Sequence, residues 1–500
     1  MIKVPQDFEI TSFIQVFLIA LYFSLFAYAS NVGQVVLGEF FFISLIVVLI
    51  AIFLFFISSL FFKSFQKGSI FTTFMVLAFF LLVPISEIIT RIEIGSIRVL
   101  RARYLLLTCI ILGLYFCIKL YNSSSHKYFL ASCFALPFSI LVVYNLILIF
   151  VRQKDIFIEL SHCKAFYDLN DADKKLSFRY IPDRLPHVFY IILDKYAGVE
   201  SLKESFNYDN STFVKALEAR GFFIPDNSYS NYPETRYSIP SSLNMTFFPE
   251  VKNEFSSWGV TTNLMGNNVV NLLKKVGYKS FIVASDWGPL RNIDTFDGIF
   301  KYGLIGDFSG AGILEKSILN FGGEATESLW MKFWDSRVRN TIYYQLKKIK
   351  ELSERSDPCF VFAHILCPHE PYVFSKNGDP IKSSYVDPDE GYIDQIQYIN
   401  KEILKIVDYI KKSSNHPIII LQGDHGFGPQ KKLKWGFEIL NAYLLPYGGE
   451  KVFYDSITPV NTFKSLFNYY FGTNMKLLPD KSFLAKADGS FQEVYPSKGN

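Results

Sequence analysis

The sequence predicts a two-part protein: an N-terminal all-α domain of five transmembrane helices, followed by a C-terminal α/β domain with helices on both faces of its sheet. The first observation behind this prediction is composition. The chain is 50% hydrophobic with a mean hydropathy of +0.21, which is too apolar for soluble domains alone. The second is where the apolar residues lie, because long apolar runs fill the first 150 residues and short ones recur after residue 185.

Five long apolar stretches predict the membrane-spanning helices, since about 20 residues are needed to cross about 30 Å of hydrocarbon. They cover approximately residues 11–29, 38–62, 69–90, 103–120 and 128–151. Short polar joints separate them, which disfavours five successive core helices of a soluble protein. The first stretch is too long for a removable signal peptide and has no suitably placed small-residue cleavage site. We therefore expect a transmembrane domain at 1–152, a juxtamembrane linker at 153–184 and the α/β domain at 185–500.

The distribution of charge excludes a basic nucleic-acid-binding domain. Residues 1–152 carry 10 Lys and Arg against 5 Asp and Glu, and the totals of 50 and 46 leave 40 basic and 41 acidic residues in 153–500. The formal net charge of +4 therefore belongs to the membrane part. Basic residues near the ends of the spans are evenly divided between the two sides and do not orient the chain. The six cysteines include no CxxC pair, and we interpret them as buried thiols.

Four short apolar runs after residue 185 predict buried parallel strands. They occupy residues 187–194, 280–285, 359–366 and 417–424. Helical patterns lie between them, at 211–220 and at about 392–412, where isoleucines recur along one face. This alternation of strands and helices is typical of an α/β sheet.

Three of these four strands end in, or are followed directly by, residues of the types that bind metals or anions. They are Asp194, then His364 and His369, then Asp424 and His425. Each alone has a structural explanation, as a helix cap or a buried polar residue. The carboxyl ends of parallel strands share one edge of a sheet, however, so these side chains are expected to converge. The adjacent Asp424 and His425 place a hard oxygen and an imidazole nitrogen on one tight turn, which suits zinc or manganese.

A candidate nucleophile lies in the segment 230–245, which carries hydroxyls at Thr235, Ser238, Ser241 and Ser242. A hydroxyl is a weak nucleophile unless a divalent cation or a base lowers its pKa. The alternative is a Ser/Thr-rich turn and helix cap around Pro240. Both interpretations stay open at this point.

Taken together, these residues resemble the alkaline-phosphatase-like superfamily in its sulfatase-like membrane branch, which includes lipoteichoic acid synthases and lipid A phosphoethanolamine transferases. The order of the motifs is that of the family: a strand-ending acid, a Thr, a His and then Asp-His-Gly. The resemblance implies that Thr235 is the nucleophile and that His369 contacts the phosphoryl group. It further implies one divalent cation, zinc or manganese, with a second left open. The implied metal ligands are Asp194, Thr235, Asp424 and His425, and the implied substrate contacts are His364, Trp287 and Arg291.

Two positions depart from the transferase pattern. Ser241 stands where phosphoethanolamine transferases have a disulfide-forming cysteine, and Glu438 lies near the expected place of a last metal-site histidine. The identity of the headgroup and the number of metal ions are therefore left open.

The function implied by the resemblance is that of a membrane-anchored, metal-dependent phosphotransferase. It would move a phosphoglycerol or phosphoethanolamine type headgroup from a membrane lipid donor to an envelope glycan acceptor through a phosphothreonine intermediate. The expected location is a bacterial-type inner membrane with the catalytic domain extracytoplasmic, and no nucleic-acid partner is expected.

Three alternatives are kept. A sulfatase would carry a formylglycine in a C/S-x-P-x-R pattern, but Ser238-Ile239-Pro240 is followed by serines instead of the required Arg. A phosphodiesterase of the same superfamily would pass the phosphoryl group to water. A non-catalytic membrane protein that binds glycan or lipid is the third, because a fold alone does not establish a function.

Overall fold

The computed structural model describes most of the chain. The described residues are 10–33, 35–90, 93–94, 97–98, 102–122, 129–162, 178–182, 184–248, 268–291, 293, 295–303, 329–428, 432–486 and 490–496. They divide into two compact units, one within Met1–Asp155 and Ile305–Trp334 and the other within Ile156–Leu304 and Asp335–Asn500. Most of the predicted linker, residues 163–177, lies outside the described residues.

Five long helices begin in the first 130 residues. They are α1 (Ile10–Ser30), α2 (Leu37–Phe62), α3 (Phe65–Thr90), α4 (Ala102–Asn122) and α5 (Phe129–His162), with a short antiparallel pair of strands, β1 (Glu93–Ile94) and β2 (Ile97–Arg98), between α3 and α4. Within the described residues, four helices are long and apolar enough to cross a membrane: Ile10–Ser30, Leu37–Phe62, Phe65–Ile85 and Ala135–Asp155. The prediction of five such helices is corrected to four, because α4 contributes only the shorter apolar helix Ile110–Asn122.

Helices α1, α2 and α3 pack through an apolar core and through polar contacts between helices. The Nε2 of Gln15 donates to the Oγ1 of Thr73 at 2.9 Å, which ties α1 to α3. Gly68 brings α3 close to α2, since a Cβ there would lie 2.7 Å from the backbone N of Ser59. Small residues at such crossings allow the close approach that packing within a membrane requires. The core residues are Val16, Ile19, Ala20, Ile43, Val48, Ala51, Phe55, Phe65, Val76, Phe80 and Phe138.

A six-stranded sheet forms the centre of the second unit, with strand order β5-β4-β6-β3-β7-β8. Its strands are β3 (Val188–Leu193), β4 (Lys279–Val283), β5 (Gly298–Phe300), β6 (Cys359–Ile365), β7 (Ile418–Gly423) and β8 (Asn441–Leu444). All four predicted strands are confirmed, and they are parallel neighbours, whereas the edge strand β8 is antiparallel to β7. Leu193 pairs with Ile365 and with Gly423, so the carboxyl ends of β3, β6 and β7 are level.

Helices connect the strands of this sheet. They are α6 (Val199–Phe206), α7 (Ser211–Glu218), α8 (Thr235–Asn244), α9 (Asn268–Lys275), α10 (Leu329–Ser353), α11 (Pro388–Ser413), α12 (Leu433–Phe437) and α13 (Pro459–Phe471). Helix α11 confirms the prediction at about 392–412: the Asp387 carboxylate accepts from the N–H groups of Asp389 and Glu390 at its start, and its isoleucines are buried. Cys359 and Cys367 are buried free thiols, as predicted.

A C-terminal hairpin of β9 (Ser482–Ala485) and β10 (Phe491–Val494) was not predicted. Phe491 of the hairpin contacts Tyr237 on α8, with the ring centroids 5.2 Å apart and nearly perpendicular. Phe483 stacks on Tyr232, just before α8, at 5.7 Å. The hairpin therefore packs against the helix that carries Thr235.

Candidate active site

Three buried side chains meet where the carboxyl ends of β3, β6 and β7 are level. One potential ligand atom from each of Asp194, His364 and Asp424 lies within 4.8 Å of the others. Within the described structure, Asp194 Oδ1, Asp424 Oδ2 and His364 Nε2 are buried and form no hydrogen bond. Unpaired buried polar atoms are costly, and a shared cation would satisfy all three. His364 Nε2 lies 3.3 Å from Asp194 Oδ2, a separation that fits two donors each about 2.0–2.2 Å from one zinc ion. The residues therefore fit a metal site.

His425 lies against both carboxylates and against Thr235. Its Nδ1 is 2.8 Å from the carbonyl oxygen of Gly426, and because a carbonyl can only accept, Nδ1 carries a proton, which in the neutral ring leaves a lone pair on Nε2. That Nε2 lies 3.6 Å from Asp194 Oδ1, 3.7 Å from Asp424 Oδ2 and 3.3 Å from Thr235 Oγ1. The structure thus brings together all four residues assigned to the metal by sequence.

Thr235 is the first residue of α8, and a hydroxyl one turn further along tethers the helix. Ser238 is buried, and its Oγ donates to the backbone oxygen of Asp424 at 2.6 Å. The other hydroxyls of the predicted segment, those of Ser241 and Ser242, also donate to backbone carbonyls. Of the four candidate hydroxyls, Thr235 is the one that faces His425, whereas Ser238, the position of a sulfatase formylglycine, is engaged inside the protein.

Backbone geometry around Lys195 and Gly423 holds together the turns after β3 and β7, which carry Asp194 and Asp424. Lys195 has a left-handed φ of 66°, its N–H donates to Asp424 Oδ1 at 3.0 Å, and its carbonyl accepts from the Tyr392 hydroxyl at 2.7 Å. Gly423 permits this packing, because a Cβ there would lie 2.4 Å from the carbonyl oxygen of Tyr196. The turns after β3 and β7 are therefore fixed against one another.

His369 lies in a loop that Lys195 and Glu370 link to the turn after β3. The Nδ1 of His369 is 2.7 Å from the carbonyl oxygen of Glu370, which places its proton on Nδ1 and points to Nε2 as the reactive nitrogen. Lys195 Nζ donates to Glu370 Oε2 at 2.7 Å and lies 5.3 Å from the centre of the Phe427 ring. Sequence reasoning missed both Lys195 and Glu370, although each directly follows a predicted site residue.

Neighbouring charged groups shift the pKa values of His369 and Asp194 in opposite directions. Burial lowers the pKa of His369, but the carboxylates of Asp194 and Glu370 outweigh burial and raise that pKa above its ordinary value. Burial raises the pKa of Asp194, but opposing effects, of which the attraction of His369 is the largest, outweigh burial and hold that pKa well below its usual range. The site therefore keeps Asp194 ionised, as a cation ligand must be.

His364 lies inside this cluster, in contact with the segment that follows β4. It is fully buried, and its Nδ1 is 2.8 Å from Ser285 Oγ. The Trp287 ring lies beside the imidazole, with centroids 5.9 Å apart. The sequence assigned His364 and Trp287 to substrate binding. The structure instead places His364 among the residues that could hold a metal, with Trp287 packed against it.

Arg291 occupies a buried ion cluster. Its Nη1 donates to Asp286 Oδ1 at 3.1 Å and its Nη2 to the carbonyl oxygen of Gly303 at 3.3 Å. The same Asp286 carboxylate accepts from Arg337 and Thr341, each at 2.8 Å. Because Arg291 is fully buried and paired, this geometry does not support its assignment as a substrate contact.

Glu438, near the expected position of a last metal-site histidine, caps a helix instead. Its carboxylate accepts from the backbone N–H groups of Glu200 and Ser201, at 3.3 and 2.9 Å, and from the Ser201 hydroxyl. These N–H groups belong to the first turn of α6. Glu438 is therefore engaged as a cap.

Comparisons with known proteins return solved structures only, since no family model and no curated protein matches. The chain is similar to the zinc complex of the periplasmic domain of EptC from Escherichia coli, at 12% identity and TM-score 0.44 over 65% of this chain and 95% of that one. It is similar to the same domain of the phosphoethanolamine transferase EptC from Campylobacter jejuni, at 13% and 0.38 over 59% and 92%. It is also similar to the lipoteichoic acid synthase LtaP from Listeria monocytogenes, at 13% and 0.40 over 63% and 83%.

Proposed function

We propose that the protein is a membrane-anchored, metal-dependent phosphotransferase that moves a phospholipid headgroup onto an extracytoplasmic glycan through a phosphothreonine at Thr235. One observation carries this proposal. A hydroxyl at the start of a helix lies 3.3 Å from His425 Nε2, which itself contacts two buried carboxylates that have unpaired oxygens. A hydroxyl in such a place is set up to be activated.

The cation of this reaction would be held by the carboxylates of Asp194 and Asp424 and by imidazole nitrogen. Oxygen and nitrogen donors of this kind suit zinc or manganese, and we propose one such ion. When bound, a divalent cation lowers the pKa of a neighbouring hydroxyl and offsets the charge of phosphoryl oxygens. The tether from Ser238 to Asp424 keeps Thr235 at this place.

In the first half-reaction, Thr235 Oγ1 forms a bond to the phosphorus of the lipid headgroup, and the bond from phosphorus to the glycerol oxygen of the lipid breaks. The proton lost by Thr235 ends on that oxygen, so diacylglycerol leaves as a neutral alcohol. The raised pKa of His369 favours its protonated form, whose Nε2–H can donate to a phosphoryl oxygen.

In the second half-reaction, a glycan hydroxyl attacks the phosphothreonine. A bond forms from the glycan oxygen to phosphorus, the bond from Oγ1 to phosphorus breaks, and the glycan proton returns to Thr235. Hydrolysis follows the same steps with water as the acceptor. The buried, tethered hydroxyl of Ser238 disfavours the sulfatase alternative, which needs an accessible formylglycine at this position.

The N-terminal helices support a multi-pass membrane location, where lipid donors are concentrated. We propose that the catalytic domain lies outside the cytoplasm, where it can reach an envelope glycan. Protease treatment of spheroplasts tests this arrangement. We expect cleavage of the catalytic domain from outside, and full protection of that domain would overturn the orientation.

The phosphothreonine is tested with the full-length protein in vesicles that contain phospholipid labelled at the headgroup phosphate, with zinc or manganese added. After acid quenching, we expect label on the peptide that carries Thr235, and no label on Thr235→Ala. Thr212→Ala, an exposed threonine on α7, is the matched control and should label like the wild type. Label that persists in Thr235→Ala removes Thr235 from its role. Absence of label with either metal favours the binding protein without turnover.

A further inference from the structure

The two histidines nearest the carboxylates differ in what holds their Nδ1 atoms. His425 Nδ1 faces the carbonyl of Gly426, which can only accept, so the backbone fixes a proton on that nitrogen. His364 Nδ1 faces the hydroxyl of Ser285 at 2.8 Å, which can either donate or accept. Whether Nδ1 of His364 carries the proton is therefore set on that side of the ring by the Ser285 hydroxyl.

Ser285 is held in place by its surroundings. It is fully buried, and its Oγ accepts the backbone N–H of Trp287 at 3.2 Å. The Trp287 ring packs beside His364, and the side chain of Gln345 donates to the carbonyl of His364 from α10. The imidazole is fixed on these sides, so Ser285 can act on it with a defined geometry.

The other ring nitrogen shows which state fits the site. His364 Nε2 is buried and lies 3.3 Å from Asp194 Oδ2 without forming a hydrogen bond. A lone pair in that place is repelled by the carboxylates of Asp194 and Asp424 unless a cation lies between them. If Nδ1–H donates to Ser285, Nε2 presents this lone pair to the space shared with the two acids.

We infer that Ser285 is a positioning residue for the metal site: its Oγ accepts the Nδ1–H of His364 and so holds Nε2 as a ligand for the divalent cation. Partners that fix the tautomer of a ligating histidine strengthen metal binding in proteins generally. Without Ser285, the proton can occupy Nε2 and bind Asp194, in competition with the cation. The inference rests on the metal site of the proposed function, but not on phosphoryl transfer.

The test measures metal affinity, using the full-length protein in detergent after removal of metal with a chelator. Zn²⁺ and Mn²⁺ are titrated in competition with a chromophoric chelator. We expect Ser285→Ala to weaken binding roughly 10- to 100-fold, whereas Ser285→Thr, which keeps the hydroxyl, restores most of the affinity. Ser280→Ala is the matched control, because Ser280 is equally buried on β4 but bonds Asp297. It should bind metal like the wild type.

A double-mutant cycle identifies the path through His364. His364→Ala should weaken binding at least as much as Ser285→Ala, and the double variant should lose no more than His364→Ala alone, because the hydroxyl acts only through the ring. Additive losses, or wild-type affinity in Ser285→Ala, would overturn the inference.

If Ser285→Ala does not fold, the wild-type protein still tests whether His364 is a metal ligand. X-ray absorption of the zinc-loaded protein should show two imidazole ligands, from His364 and His425, and a single imidazole would overturn the role of His364. If the Ser285 and Ser280 variants show the expected metal affinities but no phosphothreonine forms, the proposed transfer is refuted and this inference stands. If phosphothreonine forms but Ser285→Ala binds metal like the wild type, this inference is refuted and the proposed transfer stands.

Discussion

The Oγ1 of Thr235 lies 3.3 Å from the Nε2 of His425, although 190 residues separate the two in sequence. Two local devices create this proximity. The turn after β7 presents His425 with its Nδ1 bonded to a backbone carbonyl, and Ser238 tethers α8 to the preceding residue of the same turn. These two hydrogen bonds thus position a candidate nucleophile against a candidate metal ligand.

Removal of that tether should impair Thr235 without abolishing its chemistry. We expect Ser238→Ala to destabilise the protein by about 1–3 kcal/mol, because the buried carbonyl of Asp424 loses its donor. Phosphothreonine should still form, but more slowly, since Thr235 is less well held. Rapid-quench labelling measures the rate, with Ser242→Ala, a hydroxyl bonded within its own helix, as control. Complete loss of labelling in a folded Ser238→Ala would mean that Ser238 does more than position the helix.

Cation binding should stabilise the fold through the buried carboxylates. A ligand that binds only the native state at 100 times its Kd adds about 2.7 kcal/mol to the free energy of unfolding, and the melting temperature rises accordingly. We expect Zn²⁺ or Mn²⁺ to produce such a rise in the wild type, and Asp194→Asn to reduce it strongly. Differential scanning calorimetry measures both, with Asp408→Asn, which changes a largely exposed ion pair, as control. An equal rise in Asp194→Asn would place the cation elsewhere.

Arg291 should prove structural. Loss of one partner of a buried ion cluster typically costs about 3–5 kcal/mol, so Arg291→Met is expected to lower the free energy of unfolding by this amount, while KM for lipid stays near the wild-type value. Denaturant unfolding and lipid titration measure the two quantities. Arg220→Met, which breaks an ion pair at the surface, should cost about 1 kcal/mol or less. Unchanged stability with a raised KM would restore Arg291 as a substrate contact.

Glu204 should make stability depend on acid pH. Its carboxylate accepts from Lys432, Trp435 and Lys434, and these hydrogen bonds lower its pKa from 4.5 to about 2. The folded state binds this proton less readily than the unfolded state, so the stabilisation is complete above pH 4.5 and disappears as the pH falls through about 2.

We therefore expect Glu204→Gln to lower the melting temperature slightly at pH 7, with the difference from wild type shrinking below pH 4.5. The effect should not exceed about 1 kcal/mol, because the group is partly exposed. Glu218→Gln, at an exposed position of α7, is the control. A difference that grows as the pH falls contradicts this assignment.

Much of the sheet could be predicted because its central strands are buried on both faces and therefore appear as uninterrupted apolar runs. Strands β5 and β8 were missed, since they have only three and four residues and lie at the edges of the sheet. The C-terminal hairpin was missed for a related reason, because each of its strands has only four residues and forms no long apolar run.

The candidate site could be predicted in part. Asp194, Asp424 and His425 end strands, and parallel pairing brings strand ends to one edge whatever lies between them along the chain. The support from Ser285 and Lys195 could not be predicted, because it consists of hydrogen bonds between loops whose paths follow no periodic pattern. The ion pair of Arg291 with Asp286 could not be predicted for the same reason, because it depends on the burial of both residues.

Local residue patterns by themselves determined that an apolar helical part precedes an α/β domain with acids and histidines at its strand ends, because hydrophobic periodicity and strand termination are written in neighbouring residues. Only the tertiary structure decided which hydroxyl faces His425, that His364 lies among the potential metal ligands, that Arg291 pairs with Asp286 and that Glu438 accepts from the first turn of α6. Those assignments depend on distances of 2.9 to 3.3 Å, most of them between residues far apart in the chain. Such distances are fixed by strand register and loop packing, which depend on the whole folded domain.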